Sequence, residues 1–184
     1  AAAPVSLEDR EVEQRLQERY TAGLSAFWLE EWDVACAHFQ AILAEHPGYQ
    51  DAADRLAEAQ RQKRWSELYE QALAARRAED WEATISDLGA LVAEEPEYKD
   101  AAALLEASKR QKRLDDLYAQ AQHLHLAGEW QAVVNVFAHI ATLDPDYRDP
   151  DQLLPTAEQK VAEEALRAEL DDLYYRALRE MDAG

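Results

Sequence analysis

Residues 69–100 read YEQALAARRAEDWEATISDLGALVAEEPEYKD. Two further segments share the same pattern: YTAGLSAFWLEEWDVACAHFQAILAEHPGYQD at 20–51 and YAQAQHLHLAGEWQAVVNVFAHIATLDPDYRD at 118–149. A shift of 49 residues superimposes Tyr20, Tyr69 and Tyr118, and likewise Trp32, Trp81 and Trp130. It also aligns Pro47, Pro96 and Pro145, then Tyr49, Tyr98 and Tyr147, then Asp51, Asp100 and Asp149. Leu56, Leu105 and Leu154 carry the match beyond these stretches. Rare residue types coinciding at one spacing mark an internal repeat, in which each unit buries its apolar face against a neighbour.

Working outward, the units run over about 17–65, 66–114 and 115–170, read together as one helical repeat domain over 1–184. A partial fourth unit, 171–184, opens on Asp171-Asp172-Leu173-Tyr174, which matches Asp115-Asp116-Leu117-Tyr118 at an offset of 56. The extra seven residues are close to two helical turns and rotate an apolar face by only about 20°.

Within a unit, Leu68, Ala72, Leu73 and Ala75 form a helical stripe, and a turn comes after it near Glu79-Asp80. In the third unit Gly128 stands at that turn, as a helix end favours. A second helix begins near Trp81 and carries Ile85, Leu88, Leu91 and Val92 on one face. Pro96 stops it, because proline disfavours helix at the residue before it. Asp100 is placed to cap the next helix, and nothing from Ala101 to Ala127 interrupts it. The expectation is an all-α array of antiparallel hairpins, long helices alternating with short ones. They fall over about 6–29, 32–45, 51–78, 81–94, 100–127, 130–143 and 156–181, with Pro150 and Pro155 loosening the start of the last. The structural alternative, a break near Lys112-Arg113, lacks a turn residue.

The hairpins resemble tetratricopeptide repeats. The small Gly23, Ala72 and Ala121 stand where that family's first helix crosses its second, and Trp32, Trp81 and Trp130 open the second helix. Ala35, Thr84 and Val133 come next, then the large apolar Phe39, Leu88 and Phe137, then the closing prolines. The usual unit has 34 residues, so each of these carries about 15 more, close to four helical turns. Ile42, Leu91 and Ile140 also stand where the family often has a small residue. The resemblance implies a short α-solenoid, or superhelix, whose first helices line a concave groove and bind a protein or peptide. Carried over by spacing, the groove positions include Tyr20, Tyr69 and Tyr118; Phe27, Arg76 and His125; and Trp28, Arg77 and Leu126. The lysine and asparagine that grip a terminal carboxylate in the chaperone-tail type are replaced here by tyrosine and by leucine or glutamine, which disfavours that subclass.

Composition agrees with an all-helical chain. Of 184 residues only 5 are glycine and 6 proline, and 48% are apolar. The formal charge of −19, from 19 basic and 38 acidic residues, argues against nucleic acid and anionic membrane surfaces as partners. Cys36 is the only cysteine, so no intrachain disulfide forms, which fits a reducing, cytoplasmic setting. No apolar run is long enough to span a bilayer. The opening Ala1-Ala2-Ala3-Pro4 lacks the features of a signal peptide. The absent initiator methionine and the ending Met181-Asp182-Ala183-Gly184 suggest a segment of a longer protein.

Constant positions are expected to be scaffold: the tryptophan column as core, the tyrosine column as core with each hydroxyl on a polar partner. Positions that change character are expected at the surface. Phe27 and Trp28 would give an apolar anchor there, or would pack against the N-terminal helix. Arg76 and Arg77 suit an acidic ligand, or simply the helix C-terminus. The identical strings Arg61-Gln62-Lys63-Arg64 and Arg110-Gln111-Lys112-Arg113 are read as a solvated face, with Arg64–Glu67, Glu106–Arg110 and Lys112–Asp116 as intrahelical pairs. His123 and His125 project about 200° apart on a helix and cannot chelate together; no metal site or cofactor is expected. No phosphate loop, HExxH, GxSxG or nucleophile–base pair is present. The chain is therefore read as a non-catalytic protein-interaction module, regulatory or partner-recruiting, of bacterial signalling type. The alternative is a spacer or self-association element.

Overall fold

A computed structural model describes residues 7–182. Its elements are α1 (Leu7–Trp28), α2 (Trp32–Glu45), α3 (Ala52–Arg77), α4 (Trp81–Glu94), α5 (Ala101–Ala127), α6 (Trp130–Leu143) and α7 (Leu153–Asp182). The described residues are helical without strands, and consecutive helices pack in a repeat-like array. Both α3 and α5 run unbroken through their basic strings. The chain divides into two compact units, Ala1–Leu105 and Glu106–Gly184.

Helix ends obey local chemistry. Glu30, Glu79 and Gly128 all take left-handed φ, at 59°, 59° and 75°. At each one the chain makes the same paired closing bonds: Glu31 N–H to Ala26 O, Asp80 N–H to Ala75 O, and Glu129 N–H to Leu124 O, beside Glu30 to Phe27, Glu79 to Arg76 and Gly128 to His125. This is the Schellman closure, which satisfies carbonyls left over at a helix end. The short helices end before proline. His46, Glu95 and Asp144 swing out to φ near −140° (−141°, −137° and −143°), as the next residue's ring demands.

Only α7 starts earlier than its prolines suggest. Pro155 is its third residue, in the first turn, where a backbone N–H has no helical partner and its loss is harmless. The Asp149 carboxylate accepts the Leu154 N–H at 2.8 Å and caps the start.

Three separate apolar clusters hold the array, one per repeat. The first gathers Leu16, Tyr20, Phe39 and Ile42 of the first hairpin with Tyr49, Ala52 and Ala59. The second joins Trp65, Ala72, Leu88 and Leu91 with Ala101 and Leu105. The third joins Leu114, Leu117, Ala121, Val133, Phe137 and Ile140 with Leu153 and Ala157. The two inner long helices, α3 and α5, therefore have two jobs. The first half of α3 closes the core of the hairpin before it, and the second half opens its own. That division accounts for the 15 or so residues by which these units exceed a plain hairpin repeat.

The crossing point is tight where a small residue is expected. A Cβ built on Gly23 would meet the Phe39 ring at 3.0 Å, and Ala72 and Ala121 are fully buried at the matching places. Cys36 is buried in the first cluster, and that burial raises its thiol pKa. No described helix is long and apolar enough to cross a membrane.

Candidate functional site

Two recurring columns, 31 residues apart, meet in all three repeats. The Tyr20 hydroxyl donates to the Asp51 carboxylate, Tyr69 donates to Asp100 at 2.6 Å, and Tyr118 donates to Asp149 at 3.3 Å and Asp151 at 2.8 Å. The phenol comes from the second half of a long helix, and the carboxylate from the residues leading into the next long helix. A third column completes the arrangement: Tyr20 lies 6.0 Å from Tyr49, Tyr69 5.8 Å from Tyr98, and Tyr118 5.8 Å from Tyr147, ring centre to ring centre. In the second repeat the Lys99 ammonium sits over the rings of Tyr69 and Tyr98 at 4.9 and 5.3 Å.

These contacts shift the phenols. The bond to Asp100, with burial, pushes Tyr69 up to about 12. Tyr20 is raised by its bond to Asp51 and by burial, and Tyr118 by burial and its bond to Asp151. The Tyr20 hydroxyl and then Arg55 hold the Asp51 carboxyl below its ordinary value. Asp51 stands at the start of α3 without capping it, because its oxygens are already taken by Tyr20 and Arg55. Asp80, ahead of the short helix α4, does cap, accepting the Ala83 N–H at 3.0 Å. The tyrosine column thus braces each hairpin to the start of the next long helix. Tyr20 is buried, and Tyr69 and Tyr118 are half-buried.

The tryptophan column is less enclosed than its constancy suggests. Trp32, Trp81 and Trp130 are half-buried, because each sits in the first turn of a short helix, beside the turn that closes its hairpin. The first and third rings pack edge-on against the variable column: Phe27 on Trp32 at 5.3 Å and His125 on Trp130 at 5.2 Å. Between them in sequence, Arg76 and Trp81 help line a shallow cavity of about 340 Å³ with Leu73, Arg77 and Glu79. Phe27 is therefore half-buried in its own hairpin rather than free at the surface, whereas Arg76 and Arg77 are exposed. The His125 Nδ1 is buried without a hydrogen-bond partner.

Trp28 is different. It is 74% exposed, with Leu29 beside it also exposed, and Leu126 in the same repeat column is 86% exposed. That column holds tryptophan, arginine and leucine in turn, and its long side chains face solvent in every repeat. Position 28 is thus where the repeats agree in exposure and disagree in chemistry.

The basic strings are engaged, only in part as their spacing suggests. Arg64 reaches across its hairpin to Glu94, as Arg15 does to Glu45 one repeat earlier. In the third repeat the matching residues are Arg113 and Leu143, so that pair has no counterpart. Lys63 bonds Asp33 and stands 3.6 Å from Glu67, and Glu106 takes Lys109 rather than Arg110. Lys112 does meet Asp116, at 3.2 Å. Among the described residues no three metal-ligating side chains converge.

No family model, curated protein or solved structure matches the chain.

Proposed function

We propose that this chain is a non-catalytic protein-interaction module of tetratricopeptide-like character, offering helix surfaces to a protein or peptide and recruiting or regulating a larger signalling assembly in a bacterial-type cytoplasm. The observation that supports it is the division between columns. Recurring tyrosines and aspartates spend their polar groups on each other, while the exposed column carries Trp28, Arg77 and Leu126. An exposed tryptophan flanked by leucine is the kind of side chain that dominates binding energy once a partner desolvates it.

Trp28→Ser tests the assignment without disturbing the fold, since most of that side chain is already in water. A partner recovered with the wild-type chain is purified and titrated against both forms, with circular dichroism as the folding control. Binding through Trp28 weakens by about 30-fold or more, the loss of a hot-spot anchor of about 2 kcal/mol or above. Equal affinities would remove Trp28 from the interface. If the purified chain binds only itself, the spacer or self-association reading replaces the module.

A further inference from the structure

Residues 114–118 and 170–174 are the same five residues, Leu-Asp-Asp-Leu-Tyr, yet they live in opposite surroundings. Leu114 and Leu117 are 2% and 8% exposed; Leu170 and Leu173 are 57% and 51% exposed. Tyr118 is half-buried and Ala121 fully buried, whereas Tyr174 and Ala177, their counterparts 56 residues on, are exposed. The difference is what lies over them. In the third hairpin, α6 covers Leu114, Leu117 and Ala121 with Val133, Phe137 and Ile140. Over the second half of α7 lies nothing among the described residues, although its first half, through Leu153 and Ala157, closes the third core as α3 and α5 close those before it. Leu166, Leu170, Leu173, Ala177 and Met181 recur at three- and four-residue intervals, a continuous apolar stripe left in water.

We propose that the second half of α7 is the first helix of a fourth hairpin, and that its exposed face docks an antiparallel amphipathic helix of the α6 type supplied by a partner protein. The repeats themselves specify the occupant. It is about four turns long, as α2, α4 and α6 are, and opens on a large aromatic residue. It presents alanine, threonine or valine, then phenylalanine or leucine, then isoleucine or leucine at the places of Val133, Phe137 and Ile140. The chain's own helices of this type, α2, α4 and α6, are each engaged in their own hairpins. The rim chemistry is specified as well. Arg15 and Arg64, which hold Glu45 and Glu94 near the far end of a covering helix, are replaced in α7 by Glu169. The occupant therefore carries lysine or arginine at its C-terminal end, where the helix dipole also favours a cation. This site lies on a different helix from Trp28, so the two assignments fail separately.

The test tethers the probe. A copy of residues 129–152 is appended to the full chain, with Leu143→Lys in the copy to face Glu169, and amide exchange is monitored over α7. The expected result is slowing of exchange across 166–181 by about tenfold or more, as for a packed helix, abolished by Leu173→Asp. Because Leu173 is exposed in the untethered chain, that variant folds as the parent does. Exchange over 166–181 that the tethered helix leaves unchanged would overturn the proposal. So would slowing that Leu173→Asp leaves intact. Sedimentation of the untethered chain adds a third arm: a dimer dissolved by Leu173→Asp assigns the face to a second copy and overturns the partner protein's helix. A monomer that exchanges fast over 166–181 is the state the proposal expects.

Discussion

A phenol that donates to a carboxylate is reluctant to ionise, because the new charge would face one already present. Tyr69 shows the consequence most directly: Asp100 lifts it from 10.0 to about 12. The folded chain keeps that proton to higher pH than the unfolded chain does. The stabilisation is therefore complete below pH 10 and is lost as pH rises through about 12. Tyr20 and Tyr118 shift the same way. Thermal melts between about pH 9 and 12 are expected to show a steadily falling midpoint, with a shallower fall in Tyr69→Phe. A midpoint indifferent to pH over that window, or an unchanged slope in the variant, would contradict the bracing role. The left-handed turn residues give a second prediction. Glutamate at φ 59° carries a strain that Gly128, at the same place in the third repeat, avoids. Glu79→Gly should raise unfolding free energy by about 0.5–1 kcal/mol in urea titration, with the slope unchanged. Gly128→Ala should lower it by a similar amount, from backbone strain alone, since its Cβ meets only the Trp130 ring at an ordinary 3.7 Å.

At the scale of elements, helix boundaries are legible in the sequence because their punctuation is local. Proline at 47, 96 and 145 acts on the residue before it, and Gly128 marks the matching turn in repeats that hold glutamate there. Leu153 as the start of α7 is less legible, because a proline in a helix's first turn looks like one in its interior until the register is known. The Tyr–Asp braces are present in the sequence as two columns at constant separation. Nothing in a separation of 31 residues says that the columns touch; that depends on how a hairpin and the next helix fold back. For the same reason spacing points Arg64 toward Glu67, its helical neighbour, when its partner is Glu94 across the hairpin. The tryptophan column misleads in the other direction. Constancy across repeats reports a recurring contact, and a contact made by one face of a ring leaves the other face wet.

For the molecule as a whole, a net charge of −19 is spread over helices whose apolar material is gathered in separate clusters rather than one core. In such an array stability approximates a sum of local terms and neighbour terms. Phe39 is fully buried in the first cluster and Phe137 nearly so in the third, at matching places beside Tyr20 and Tyr118. Truncating either to alanine should cost about 3–5 kcal/mol. That loss is expected to stay local. Amide exchange in Phe39→Ala should quicken over 16–59 and remain close to wild type over 114–157, and Phe137→Ala should show the reverse. Equal acceleration of both segments in either variant would mean one cooperative unit, in which the clusters stand or fall together.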